Sequence, residues 1–180
     1  MKSFIKIIAA LALLAFAGYL MRGDFSGFVR KMFPFDYKLE ISAAAVEYGL
    51  DPLFVAAVIK AESSFDENAS SGVAHGLMQL TDDTAAFIAE RTELDYEKRR
   101  EPRTNIRMGC YYISYLSEKF GDVETALAAY NAGPANVSRW LGDMRYSDDG
   151  EKLSEIPFAE TRKYVQRIDK YYRVYKKLYG

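Results

Sequence analysis

Between residues 38 and 179, apolar positions recur every three or four residues in segment after segment, and no stretch alternates apolar with polar for long. That pattern restricts the chain to helices, because a half-buried strand would need a period of two. The spacing predicts a first helix over residues 38–48, stopped at Gly49, a natural left-handed helix end. A second opens at Asp51-Pro52, where Asp can cap first-turn amides and Pro loses no needed donor. A third runs from Thr81 to about Arg91, with Ala85, Ala86, Ile88 and Ala89 as its apolar positions. From Asn105 to Phe120, the residues Ile106, Cys110, Ile113, Leu116 and Phe120 share one side. A short helix follows from Val123 to Tyr130, and Pro134 opens another carrying Val137, Trp140 and Leu141. The last spans Ala159 to Tyr179. Residues 63–75, 93–104 and 142–157 read as connections, so the expected fold class is all-α.

At 180 residues, the length beyond an N-terminal segment suits one domain with a sizeable core. The 24 basic and 25 acidic residues nearly cancel, so nucleic acid is not an implied partner. A single Cys excludes an internal disulfide, and Cys110 reads as a small buried hydrophobe. With one His and no Cys/His spacing of a zinc site, neither a metal nor a cofactor is implied. Fourteen Tyr and eleven Phe fit either aromatic core packing or a ring-lined groove that stacks on sugar or peptide.

Lys2 and Lys6 precede an apolar run from Ile7 to Met21 that ends at Arg22, the pattern of an export signal. Those fifteen residues fall short of the roughly 20 that span a bilayer. Phe4, Ile5 and a snorkelling Lys6 could extend them into a retained anchor, whereas Ala15-Phe16-Ala17 fits a cleavage site. Residues 1–22 are therefore expected to be a signal or membrane anchor, 23–37 a juxtamembrane linker, and 38–180 the working domain outside the cytoplasm.

On the second helix, Val55, Val58, Ile59 and Glu62 fall at 3.6-residue spacing, so Glu62 continues the core-facing stripe. Desolvation and the negative end of the helix dipole both favour the neutral acid there. A carboxyl that keeps its proton near neutral pH can serve as a general acid; the plainer reading is a solvated side chain at a frayed helix end.

Four stretches stand out: Glu62-Ser63-Ser64-Phe65, Gly76-Leu77-Met78-Gln79-Leu80, Ala128 to Pro134 (Ala-Ala-Tyr-Asn-Ala-Gly-Pro), and Ile156 to Val165, which includes Glu160-Thr161-Arg162-Lys163-Tyr164. In this order, with Asn105 and Gly109 between them, they resemble the soluble lytic transglycosylase family over residues 40–179. The resemblance implies a lysozyme-like, goose-type-like helical domain that cleaves peptidoglycan. It implies that Glu62 is the single catalytic acid/base and that Tyr130 orients its carboxyl, with Asn131 beside it. It further implies substrate contacts from Ser71, Met78, Gln79, Glu160 and Tyr164. Without the resemblance, Met78 and Tyr164 would read as core, Gln79 as satisfying a turn and Glu160 as a helix-start acid. Two departures stand out: Ser71 to Gly76 is one residue shorter than the family's loop, and Asp82 replaces a common Pro. His75 falls at a variable position and is expected to be exposed.

Glycosidases generally need two carboxylates, and Asp66, Glu67, Asp82 and Asp83 all read as solvated. One carboxyl suffices if the substrate supplies its own nucleophile. The family's chemistry is of that kind: the bond between N-acetylmuramic acid and N-acetylglucosamine breaks without water and leaves a 1,6-anhydro sugar. Its partners would be glycan strands and, through the N-terminal helix, the membrane, with the chain acting as a monomer. The competing readings are a goose-type muramidase that uses water and a non-catalytic wall-binding module.

Overall fold

A computed structural model describes residues 26–180, together with Phe16 and Gly18. The chain divides into two units, Met1–Pro34 and Phe35–Gly180. In the first, residues 26–32 are helical and Phe33 N donates to Val29 O at 2.9 Å, so the expected linker carries helix; nothing breaks that run before Pro34. The signal or anchor expected over 1–22 lies outside the described residues, apart from Phe16 and Gly18. Among the described residues no single helix is long and apolar enough to cross a membrane.

The second unit is built from α1 (Lys38–Glu47), α2 (Pro52–Glu62), a hairpin of β1 (Ala74–His75) and β2 (Leu80–Thr81), and α3 (Asp82–Ala89). A 3-10 turn at Tyr96–Lys98 leads to α4 (Pro102–Phe120), α5 (Val123–Ala132), α6 (Pro134–Leu141) and α7 (Ala159–Tyr179). The unit is mostly helical, with one addition. In the antiparallel hairpin Ala74 faces Thr81 and His75 faces Leu80. Two-residue strands are too short to show a period, which is why the sequence pattern conceals them. The helix expected from Asn105 begins three residues earlier, because Pro102 suits a first helical position.

Local signals set the helix starts. Asp51 Oδ1 accepts from Leu53 N at 2.8 Å, Thr81 Oγ1 from Thr84 N at 3.1 Å, and Asp122 Oδ2 from Thr125 N at 2.8 Å. The α4 stripe is buried from Ile106 through Cys110 and Leu116 to Phe120, and burial pushes the Cys110 thiol up to about 12. Helix α2 is buried from Val55 to Ile59 and packs most extensively on α7, whose Tyr164, Val165, Ile168 and Tyr175 face inward. That pairing brings the C-terminal end of α2 against the first turns of α7.

Candidate active site

Glu62 is the last residue of α2 and is half-buried. Its Oε1 accepts a hydrogen bond from the Tyr164 hydroxyl at 2.5 Å. Burial raises the carboxyl to about 7, against two opposing influences, the Tyr164 hydrogen bond and the Arg167 cation. Tyr164 is only 2% exposed, and burial beside Glu62 holds its own hydroxyl in the neutral, donating form.

Beyond Glu62 the chain turns sharply, with Ser64 (φ 55°) and Phe65 (φ 70°) both in the left-handed region that side chains rarely adopt. Ser63 fixes this turn: its Oγ donates to Leu77 O at 2.9 Å and accepts from Phe65 N at 3.2 Å. The end of α2 is thereby tied to the Gly76–Leu80 loop. Nothing in the helical pattern singled out Ser63, although it stands directly after the acid.

That loop is held from below by Asn105, which is 1% exposed. Its Oδ1 accepts from Met78 N at 2.8 Å, while Nδ2 donates to Arg99 O at 2.8 Å and His75 O at 3.2 Å. The approach is so close that a side chain on Gly76 would meet the Asn105 amide, and at φ 78° a glycine adopts this backbone without strain. Gln79 sits at φ 45°, and its Nε2 donates to Gly76 O at 2.9 Å and Ala69 O at 3.0 Å. Both amide hydrogens are therefore used within the loop, and the side-chain oxygen remains as acceptor.

The geometry corrects three expectations. The hydroxyl on Glu62 comes from Tyr164; Tyr130 donates instead to Met78 O at 2.7 Å and so braces the loop. Met78 is 0% exposed and lines no groove surface. It packs over Gly109, where an added Cβ would lie 2.5 Å from Met78 Cε and 2.8 Å from Met78 Cβ, so glycine there makes room for the side chain. His75 is half-buried, with Nδ1 3.0 Å from Ser70 Oγ, because the hairpin folds it against the loop.

The remaining residues lie around this centre. Ser71 is exposed at the loop tip, its Oγ accepting from Ala74 N at 3.2 Å. Asn131 is exposed at the end of α5, and its Oδ1 accepts from the buried Thr161 Oγ1 at 2.8 Å. With Phe158 and Glu160 it lines an open depression beside the start of α7, and Glu160 is exposed one helical turn before Tyr164. Of the neighbouring acids, Asp66 and Asp83 are exposed, Glu67 accepts from the Tyr37 hydroxyl at 2.6 Å, and Asp82 pairs with Arg99 at 2.7 Å.

The family model described as the transglycosylase SLT domain matches residues 40–152, more than half of the chain. The chain belongs to the transglycosylase SLT-domain family. It is 38% identical over 130 residues to the soluble lytic murein transglycosylase of Salmonella typhimurium, covering 67% of this chain and 20% of that protein. The transglycosylase of Enterobacteria phage PRD1 is 40% identical over 117 residues, with 64% of this chain and 41% of the phage protein covered. Among solved structures, an inactive mutant of the lytic transglycosylase Slt from Pseudomonas aeruginosa superposes with a TM-score of 0.72 at 35% identity. That match covers 83% of this chain and 25% of the Pseudomonas chain. The chain thus spans a fifth to two-fifths of the length of these SLT-domain relatives. Residues 153–179 lie beyond the family match, yet they carry Tyr164.

Proposed function

We propose that this chain is a peptidoglycan lytic transglycosylase that cleaves the β-1,4 bond from N-acetylmuramic acid to N-acetylglucosamine and leaves a 1,6-anhydro product. The observation that carries this reading is the half-buried Glu62 carboxyl, raised to about 7 and held at 2.5 Å by Tyr164. Protonated Glu62 gives its proton to the oxygen of the breaking bond, and positive charge develops at the muramic acid C1. The C6 hydroxyl of the same sugar attacks C1, and ionised Glu62 takes up that hydroxyl proton. One group thus serves as acid and then as base, which a proton affinity near neutrality allows. Tyr164 positions the carboxyl through both stages and stabilises its ionised form. Ser71, the Gln79 oxygen, Asn131 and Glu160 are assigned to substrate contact, whereas Met78 and Tyr130 act by holding the loop. Residues 38–180 form the catalytic domain, acting as a monomer outside the cytoplasm, and residues 1–22 export or anchor it.

Mass spectrometry of digested sacculi tests the reaction. Anhydro muropeptides are expected; products heavier by one water would replace this reading with a muramidase, and no release at all would leave a wall-binding module.

The pH dependence follows from the sign of the Glu62 shift. The acid role needs the protonated carboxyl, so kcat/KM falls as pH rises through about 7. The Tyr164 hydroxyl lowers that value, so Tyr164→Phe shifts the alkaline limb to higher pH and reduces turnover through lost positioning. An unmoved limb in Tyr164→Phe would separate the tyrosine from the acid.

A further inference from the structure

Helix α7 joins two ends of the second unit that differ in chemistry. Its first turns meet Glu62 through Tyr164, and its last turns are strongly basic. The helix carries seven basic and two acidic side chains, in a chain whose net charge is −1. Beyond Asp169 come Lys170, Arg173, Lys176 and Lys177 with no acid, and all four are exposed. Asp169 holds Arg173 at 2.9 Å, and Lys176 Nζ lies 4.2 Å from the centre of the Tyr172 ring.

The chain enters this unit at the same end. Phe35 packs edge-on against Tyr175 and Tyr179, with ring centroids 6.3 and 5.4 Å apart. Lys38 Nζ lies 5.8 Å from the Phe35 ring, and Leu39 beside it is 83% exposed. Phe35 thus draws the start of α1 and the end of α7 into one surface. The helix dipole accounts for cations in the last turn of α7, but it disfavours Lys38, the first residue of α1. Neither the dipole nor the core accounts for Lys38 and the exposed Leu39.

Sequence continuity points to what lies at this end. Only residues 23–34 separate Phe35 from the export or anchor segment expected over 1–22, a reach of at most about 40 Å. A bilayer that holds that segment is therefore close enough to touch. Lysines around an exposed leucine and a half-buried Tyr179 suit a surface of acidic headgroups over acyl chains. Each lysine near an anionic lipid surface strengthens binding about fivefold.

We infer that this end of the unit, with Lys38, Leu39, Lys176 and Lys177 at its centre, docks on the anionic phospholipid headgroups of the membrane that holds the N-terminal segment. The inference rests on the reading of residues 1–22 as a membrane anchor. From Lys177 back to Tyr164 the helix rises about 20 Å. Docking at one end of α7 therefore turns Glu62, held at the other, away from the bilayer and toward the wall.

The test uses the full chain on vesicles of phosphatidylcholine, alone or mixed with phosphatidylglycerol, with amide hydrogen exchange read by mass spectrometry. Exchange over residues 35–40 and 170–180 is expected to slow about 3- to 10-fold on the mixed vesicles, and to recover in high salt. Lys38→Gln, Lys176→Gln and Lys177→Gln together should abolish the slowing. Lys98→Gln, Lys119→Gln and Lys152→Gln together remove the same charge from exposed positions elsewhere and should keep it. Equal exchange on both vesicles, or slowing that survives the first set of substitutions, would overturn the docking surface. Slowing produced by soluble polyphosphate and absent on the mixed vesicles would replace the bilayer with an anionic wall polymer. Flotation with phosphatidylcholine vesicles alone reads the anchor by itself, so loss of the anchor and loss of the docking contact give different results.

Discussion

Glu62→Gln is expected to reduce muropeptide release by about 10²-fold or more while the chain folds as before. Glutamine has nearly the same shape, and its amide oxygen can still accept the Tyr164 hydroxyl that now lies 2.5 Å from Oε1. What it lacks is the proton. An amide neither protonates the leaving oxygen nor accepts the C6 hydroxyl proton afterwards, so both halves of the reaction fail together. In the proposed reaction the charge environment favours Glu62 over Asp82 as the acid. Its carboxyl is raised to about 7 by burial, whereas the Arg99 guanidinium holds the exposed Asp82 carboxyl below its ordinary value. Release of anhydro muropeptides by purified Glu62→Gln at the unmodified rate would remove Glu62 from the mechanism.

Asn105→Ala is expected to give the largest loss of stability, about 2–3 kcal/mol, with a fall in melting temperature of roughly 5–10 °C. The reason lies in what Asn105 leaves behind. Its amide satisfies Met78 N, His75 O and Arg99 O from a position that is 1% exposed, so truncation strands buried backbone groups where water does not reach. The loop also contains a left-handed Gln79 at φ 45°, a conformation that persists only while its surroundings enforce it. Turnover should fall with stability, because the same loop is tied to the Glu62 turn through Ser63 and Leu77 O. Asn105→Asp separates the contributions: it can still accept from Met78 N, but presents a carboxylate to two carbonyls. Thermal denaturation of both variants decides the matter. A melting temperature for Asn105→Ala within about a degree of the parent would show that the loop holds itself.

Much of this molecule follows from neighbouring residues alone. Asp51 and Pro52 start α2, and its apolar period carries Glu62 toward the interior, so a perturbed acid could be read from spacing and cap. The buried stripe of α4 and the extent of α7 were equally legible, because each is set by a repeat within one helix. Difficulty began where two distant segments meet. Tyr130 and Tyr164 are both tyrosines near a family motif, and nothing local distinguishes which hydroxyl reaches the acid. Tyr164 does so across 102 residues because α2 packs on α7, while Tyr130 reaches Met78 O across 52. Met78 is similar, since an apolar residue in a loop fits a groove wall or a core equally well. The missing side chain of Gly109, on α4, leaves the room that lets it sit in the core.

By itself, then, the sequence determined the helices, their caps, the family and the identity of the buried acid, because periodicity and capping act over a few residues. Only the tertiary structure decided which hydroxyl meets that acid and which amide carries the loop. Those outcomes depend on side-chain contacts between segments far apart in the chain, and no spacing along the chain encodes them.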